Sequence, residues 1–256
     1  SLQAVPRDTA NRRPTGMATA ASTLGPLSGA PAYAMEISPG TNLVYLPDAD
    51  APGTWTSIAN KAGTTYFAGD FINDDFSRLY VLDASLNQLH ALNPQTGATQ
   101  IIGSSVPRAG ESWTGMTGGR NGVMYAASSY CGSRSTLYTL NLNTGAATEI
   151  GAITNAPCII DIAIAPDLTL YGIDIVNDVL VRIDRATGAG TVVGNLGYNA
   201  NYAQGMDFEE VSGILYWAAE DGTGGEMRVI DTATGNSAFV GSFPGDAEVD
   251  ALAFAT

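Results

Sequence analysis

The sequence predicts an all-β ring, a five-bladed β-propeller of four-stranded antiparallel blades, and three observations carry that prediction. A fifteen-residue pattern occurs four times: LHALNPQTGATQIIG (89–103), LYTLNLNTGAATEIG (137–151), LVRIDRATGAGTVVG (180–194) and MRVIDTATGNSAFVG (227–241). A tyrosine in a short apolar run marks each unit, at Tyr33, Tyr80, Tyr125, Tyr171 and Tyr216, spaced 45 to 47 residues apart. The chain end, VDALAFAT (249–256), matches an inner segment, IDIAIAPD (160–167). Repeats of roughly 40–50 residues that each read as four short strands are the signature of propeller blades.

The elements follow in order. Residues 1–31 lack the repeat, are rich in Pro, Ala, Ser and Thr, and carry Arg7, Arg12 and Arg13. They read as an extended arm that lies on the acidic body or links to a neighbouring domain. Residues 32–58 supply three strands of the first blade, AYAMEIS, NLVYLP and TWTSIAN, the last running to Asn60, with an irregular turn, DADAPG. Complete blades are expected over about 66–104, 113–152, 159–195 and 204–242. Residues 248–256 are expected to return as the innermost strand of the first blade. That closes one domain over 32–256 and leaves no open edge at the junction.

Within each blade we label the strands A to D from the axis outward. The tyrosine lies in strand B, and the (N/D)-x-x-T-G element is the tight C–D turn. Asn or Asp binds its own backbone two residues on, and Gly takes the left-handed conformation that a Cβ would penalise. A single blade cannot bury both of its faces, which is the physical reason for the repetition. An all-β sandwich or open solenoid, and a six-bladed ring that draws in residues 1–31, are the alternatives.

Composition limits the function. The 256 residues carry 25 Asp and Glu against 11 Lys and Arg, a net charge of −14. Such a body repels phosphate backbones, so nucleic-acid binding is not expected, and anionic membrane surfaces are disfavoured. No run of about 18 apolar residues suggests a membrane helix. The first residue is Ser and no signal peptide is read, so a processed chain or part of a larger secreted protein is expected. A single lysine, Lys61, and Asn/Thr/Gly-rich strands fit a secreted or periplasmic bacterial protein.

Candidate sites concentrate on one face. In a propeller the D–A and B–C connections share one face, and the A–B and C–D turns share the other. Cys131 falls in a B–C loop (SSYCGSRS) and Cys158 just before the next A strand (NAPCIID), so a disulfide joining two neighbouring blades is expected. The D–A loops SSVPRAGESWT (104–114) and NLGYNANYAQ (195–204) present Trp113, Arg108, Tyr198 and Tyr202, with Tyr130 beside the cysteine loop. Aromatic plates beside amide groups suit sugar rings; the alternative is that Trp113 and the tyrosines cap gaps between blades. The lone histidine, His90, falls in a C strand at a position filled elsewhere by Tyr138, Val181 and Arg228. A tolerant, half-exposed site is expected there, which leaves Ser–His–Asp and Cys–His chemistry without support and excludes a His-rich zinc site.

The inner strands carry a column of Gly69, Gly115, Asp161, Gly205 and Asp250, with Asp70 and Asp207 close by. Glycines let strands crowd the axis. The aspartates have three possible fates: to bind neighbouring backbone amides, to hold a cation such as Ca²⁺ (Asp161 and Asp250), or to do acid–base chemistry (Asp161, Asp250 and Asp207). The acidic clusters NDD (73–75), DFEE (207–210) and EDGTGGE (220–226) lack the spacing of a dedicated calcium loop.

The repeat grammar LY…(N/D)xxTGxxxxxG, over residues 32–256, resembles that of secreted bacterial β-propellers. The resemblance implies architecture and an extracellular setting and carries over no active-site residue. Two functions are therefore expected. The first is a non-catalytic recognition or scaffold module that binds glycan or protein through the D–A/B–C face and needs no cofactor. The alternative is a polysaccharide hydrolase using the axial aspartates.

Overall fold

A computed structural model of the chain describes residues 27–256. Five antiparallel sheets of four strands form a ring, so the fold is the expected five-bladed propeller. In chain order the strands are β1 (Ala32–Ser38), β2 (Asn42–Leu46), β3 (Thr56–Asn60), β4 (Tyr66–Asp70), β5 (Leu79–Asp83), β6 (Gln88–Leu92), β7 (Thr99–Ser104), β8 (Ser112–Gly118), β9 (Met124–Tyr130) and β10 (Arg134–Leu140). They continue with β11 (Ala147–Ile153), β12 (Ile159–Ile164), β13 (Leu170–Asp174), β14 (Val179–Ile183), β15 (Gly190–Asn195), β16 (Gly205–Glu209), β17 (Ile214–Glu220), β18 (Gly225–Ile230), β19 (Ser237–Ser242) and β20 (Glu248–Phe254). A single 3₁₀ turn, Pro244–Asp246, precedes β20.

Blade one has the order β20-β1-β2-β3, and blades two to five are β4–β7, β8–β11, β12–β15 and β16–β19. The last strand lies against the first, with Met35 opposite Asp250 and Tyr33 opposite Ala253. The ring is therefore closed by the two ends of the repeat region. Of the expected arm, residues 1–26 lie outside the described residues. Its last residues are docked: the Ser28 amide donates to the Tyr216 hydroxyl (3.3 Å), and Ala49 N donates to Ala30 O (3.0 Å).

Burial falls from axis to rim. The inner strands β4, β12 and β16 are buried along their whole length, whereas the outer strands β7, β11, β15 and β19 are mostly exposed or half-buried. The apolar core is divided into five clusters, one between each pair of adjacent blades. Tyr216 and Trp217, neighbours in β17, illustrate the division, because they point into different clusters on the two faces of one blade.

The repeat is explained by local chemistry. In the C–D turn of blade two, Asn93 Oδ1 accepts from Gln95 N (3.0 Å) and Thr96 N (2.9 Å), and Gly97, at φ 70°, donates to Asn93 O (2.7 Å). Asn141 and Asp184 bind their own turns in the same way, and Asp231 accepts from Ala233 N (2.9 Å). The second glycine of the repeat serves the ring. A Cβ at Gly103, Gly151 or Gly194 would collide with the carbonyl of Thr144, Thr187 or Thr234, in the C–D turn of the next blade.

Candidate functional site

The D–A/B–C face carries the disulfide Cys131–Cys158, which ties the β9–β10 loop to the residue before β12 and so joins blades three and four. Gly132 N donates to Pro157 O (3.2 Å) beside it. The pairing read from the sequence is thus present.

The aromatic residues divide into two groups. Tyr130 is 57% exposed and Tyr202 37% exposed, the latter held at φ 64°. Tyr198 is half-buried: its ring packs edge-on against Trp217 (5.3 Å) with the Arg228 guanidinium over it (4.6 Å), and burial raises its hydroxyl pKa. Trp113 takes the second of its two expected places, a gap between blades, and is no surface plate. It is 0% exposed, stacks edge-on with Tyr138 (5.0 Å), and its indole N–H donates to Ser105 O (2.8 Å). Its polar edge is satisfied inside the interblade layer, so the ring is a wedge between blades two and three. Arg108 remains half-exposed and faces Glu149 (3.5 Å).

His90 is a correction. It is 3% exposed, with Nδ1 against the Tyr66 hydroxyl (2.7 Å) and Nε2 against Gln88 Oε1 (3.1 Å). Burial lowers its pKa, so the ring is a neutral core group. Single-sequence alternation misplaces it because propeller blades bury both faces.

The axial aspartates act mainly as clasps between blades. Asp70 Oδ2 accepts from Gly118 N (2.8 Å), joining blade two to three. Thr117 Oγ1 accepts from Ile164 N (3.1 Å), joining three to four. Asp161 Oδ2 accepts from Met206 N (2.6 Å), joining four to five, and Asp207 Oδ2 accepts from Phe254 N (2.8 Å), joining five to one. The other oxygens of Asp70, Asp161 and Asp207 accept from the amide of the following residue (2.6–2.8 Å).

Asp250 breaks the pattern. It is 0% exposed, and neither carboxyl oxygen has a hydrogen-bond partner among the described residues. A register shift in β20 follows it, with Ala251 at φ 48°. Burial raises the pKa of all four axial acids, Asp70 to about 7. Charge repulsion links them into a column: Glu248 feels Glu220, Asp250 feels Glu248 and Asp161, Asp161 feels Asp70, and Asp207 feels Asp70.

A shallow cup of about 290 Å³ lies on the D–A/B–C face, lined by Ser38, Tyr202, Glu220, Thr223, Asp246 and Glu248 among others. Glu248 escapes the sequence reading, and Glu220 enters it only as part of the EDGTGGE cluster. The available signal was the position of Glu248 two residues before Asp250, on the same face of one strand. A larger hollow of about 710 Å³ lies on the opposite face under blade four, against Tyr125, Arg182 and Arg185. Its rim is the C–D turn, whose Asp184 carboxylate is occupied by Ala186 N and Thr187 N. We therefore place the candidate site at the cup, where acids and an exposed aromatic converge.

Together these features define a five-bladed β-propeller, a class of ring-shaped repeat proteins. The chain belongs to the family described as domain of unknown function (DUF4394), which matches residues 32–163. Among solved structures it is similar to a chain of a nidogen/laminin complex, with a TM-score of 0.59 and 10% identity, covering 89% of this chain and 99% of that one. It is also similar to a protein of unknown function from Bacteroides thetaiotaomicron (TM-score 0.57, 15% identity, 89% of this chain and 61% of that one). TolB from Acinetobacter baumannii is a third (TM-score 0.51, 15% identity, 90% of this chain and 67% of that one). At such identities the likeness shows the fold alone. No curated protein matches the chain. Among the described residues no helix is long and apolar enough to cross a membrane.

Proposed function

We propose that this chain is a non-catalytic recognition or scaffold module of the extracellular space or the periplasm, binding glycan or protein through its D–A/B–C face. The observation that carries the reading is the pairing of exposed Tyr202 with the polar cup beside it. A tyrosine ring offers an apolar plate to a sugar face, and the carboxylates and Thr223 accept hydrogen bonds from a hydroxyl rim. Tyr130 extends the aromatic surface on the same face. The disulfide supports an oxidising compartment, since such bonds seldom persist in the cytoplasm.

The hydrolase alternative loses ground. Glycoside hydrolysis needs two carboxyls flanking an open substrate site. Asp161 and Asp207 are buried and have both oxygens bonded to backbone amides. The acidic body also argues against nucleic acid as a partner.

A glycan-array measurement followed by titration of the best binder tests the reading. Tyr202→Ala should weaken binding about tenfold, or ~1.4 kcal/mol. Binding unchanged in both Tyr202→Ala and Tyr130→Ala would remove this face as the ligand platform.

A further inference from the structure

We propose that Asp250 and Glu248 together hold a divalent cation of the calcium class beneath the cup. The inference does not depend on the glycan or protein reading, because the cation is detected without any such ligand.

The first observation is the isolation of Asp250. Its three axial counterparts each take backbone amides from their own and the next blade, whereas Asp250 meets no donor at all among the described residues. Leaving an ionised carboxylate buried without a partner is too costly to persist, so the charge must be neutralised. A proton would neutralise it but would leave a buried O–H and a buried carbonyl oxygen both unsatisfied, a further cost. A hard cation satisfies both oxygens.

The second observation is where Asp250 sits. Glu248 is two residues earlier in β20, where alternation puts the two side chains on one face; the extra residue of the irregular pairing there, Ile37, lies in β1, and Glu248 lines the cup. Asp250 is therefore one step beyond a cup residue, buried between Glu248 and Asp161. Its charged neighbours, Glu248 and Asp161, are both acidic. Glu220, also in the cup, adds to the field at Glu248. A concave site of one sign concentrates the opposite ion.

Chemistry selects the ion class. All the side-chain donors are carboxylate oxygens, which suit Ca²⁺ rather than a thiolate- or imidazole-seeking metal. Among the described residues no three His, Cys, Asp or Glu side chains form a ready shell. The protein thus supplies two carboxylates, and water, or hydroxyls of a bound ligand, complete the six to eight oxygens typical of Ca²⁺. Asp161, the other residue the sequence suggested, is less suited because backbone amides already occupy its oxygens.

The test is thermal melting of the chelator-treated protein with CaCl₂, against NaCl of equal ionic strength. The wild-type midpoint should rise by about 3 °C or more at saturating Ca²⁺. Asp250→Asn and Glu248→Gln should each abolish that rise, and calorimetric titration of the wild type with CaCl₂ should give one site. An unresponsive wild type, with Asp250→Asn as stable or more so, would show Asp250 to be a neutral acid and overturn the proposal. An undiminished rise in both variants would place the ion elsewhere and overturn it equally. If Asp250→Asn fails to fold, the wild type and Glu248→Gln still decide.

Discussion

A methyl group added at Gly103 would run into the carbonyl of Thr144, which belongs to the neighbouring blade. The residue is glycine because two backbones meet there, and the neighbour that would have to yield is a turn held by its own Asn141 side chain. Gly103→Ala should therefore destabilise the protein by about 1–3 kcal/mol, the usual cost of overpacking a closed contact. Chemical denaturation would read this as a lower midpoint at unchanged slope. A control, Gly132→Ala, has open space around the added carbon, although its φ of 86° adds backbone strain. A Gly103→Ala midpoint equal to that of wild type would show that the turn yields freely.

Elements are held to one another by devices placed at the blade junctions. The disulfide pins a B–C loop to the strand beyond it and closes a loop with a sequence separation of 27 residues. On the chain-entropy argument a loop of that length stabilises by about 3–4 kcal/mol. Cys131→Ser with Cys158→Ser should lower the melting temperature, and reduction of the wild type should reproduce the loss. Equal melting of the oxidised and reduced protein would contradict this. The clasp from Asp207 to Phe254 N has a different role, since it fastens the returning strand β20 to blade five. Asp207→Ala strips that buried amide of its acceptor and should cost about 1–3 kcal/mol. Proteolysis should then begin near the chain end, because β20 is held in the ring without a covalent link to blade one. Protection there equal to that of wild type would argue that β-pairing with β1 suffices.

At the scale of the whole molecule, the axis stores acids at elevated pKa. Asp70 is raised to about 7 from an ordinary 3.8, first by burial, and Asp161, Asp207 and Asp250 are raised as well. The folded state keeps these protons at pH values where the unfolded chain has lost them. It therefore binds more protons between about pH 4 and 7, and stability falls as pH rises through that window. The turn aspartates Asp75, Asp167 and Asp184 are held below their ordinary values by hydrogen bonds, so they act below about pH 4. In EDTA, the melting temperature should be higher at pH 5 than at pH 8. A protein more stable at pH 8 would show that these carboxyls are ionised and compensated in the native ring.

Blade number, strand order, the closing role of residues 248–256 and the cysteine pair were all legible in the amino-acid sequence. Each rests on local or periodic rules: an Asx turn followed by a left-handed glycine, alternation along strands, and a repeat that counts itself. The burial of His90 was not legible, and that of Trp113 was left open, because a blade packed on both faces hides a side chain whichever way it points. The fates of the axial aspartates were undecidable for a related reason. Asp161 and Asp250 occupy the same position in the repeat, yet one meets the Met206 amide and the other meets no donor. A register shift adjoins each of them, so what separates them is whether the strand crowded against each one offers an amide. Repetition in sequence determines the ring, whereas the departures from symmetry that make a site arise where distant strands meet, and those exist only in the folded molecule.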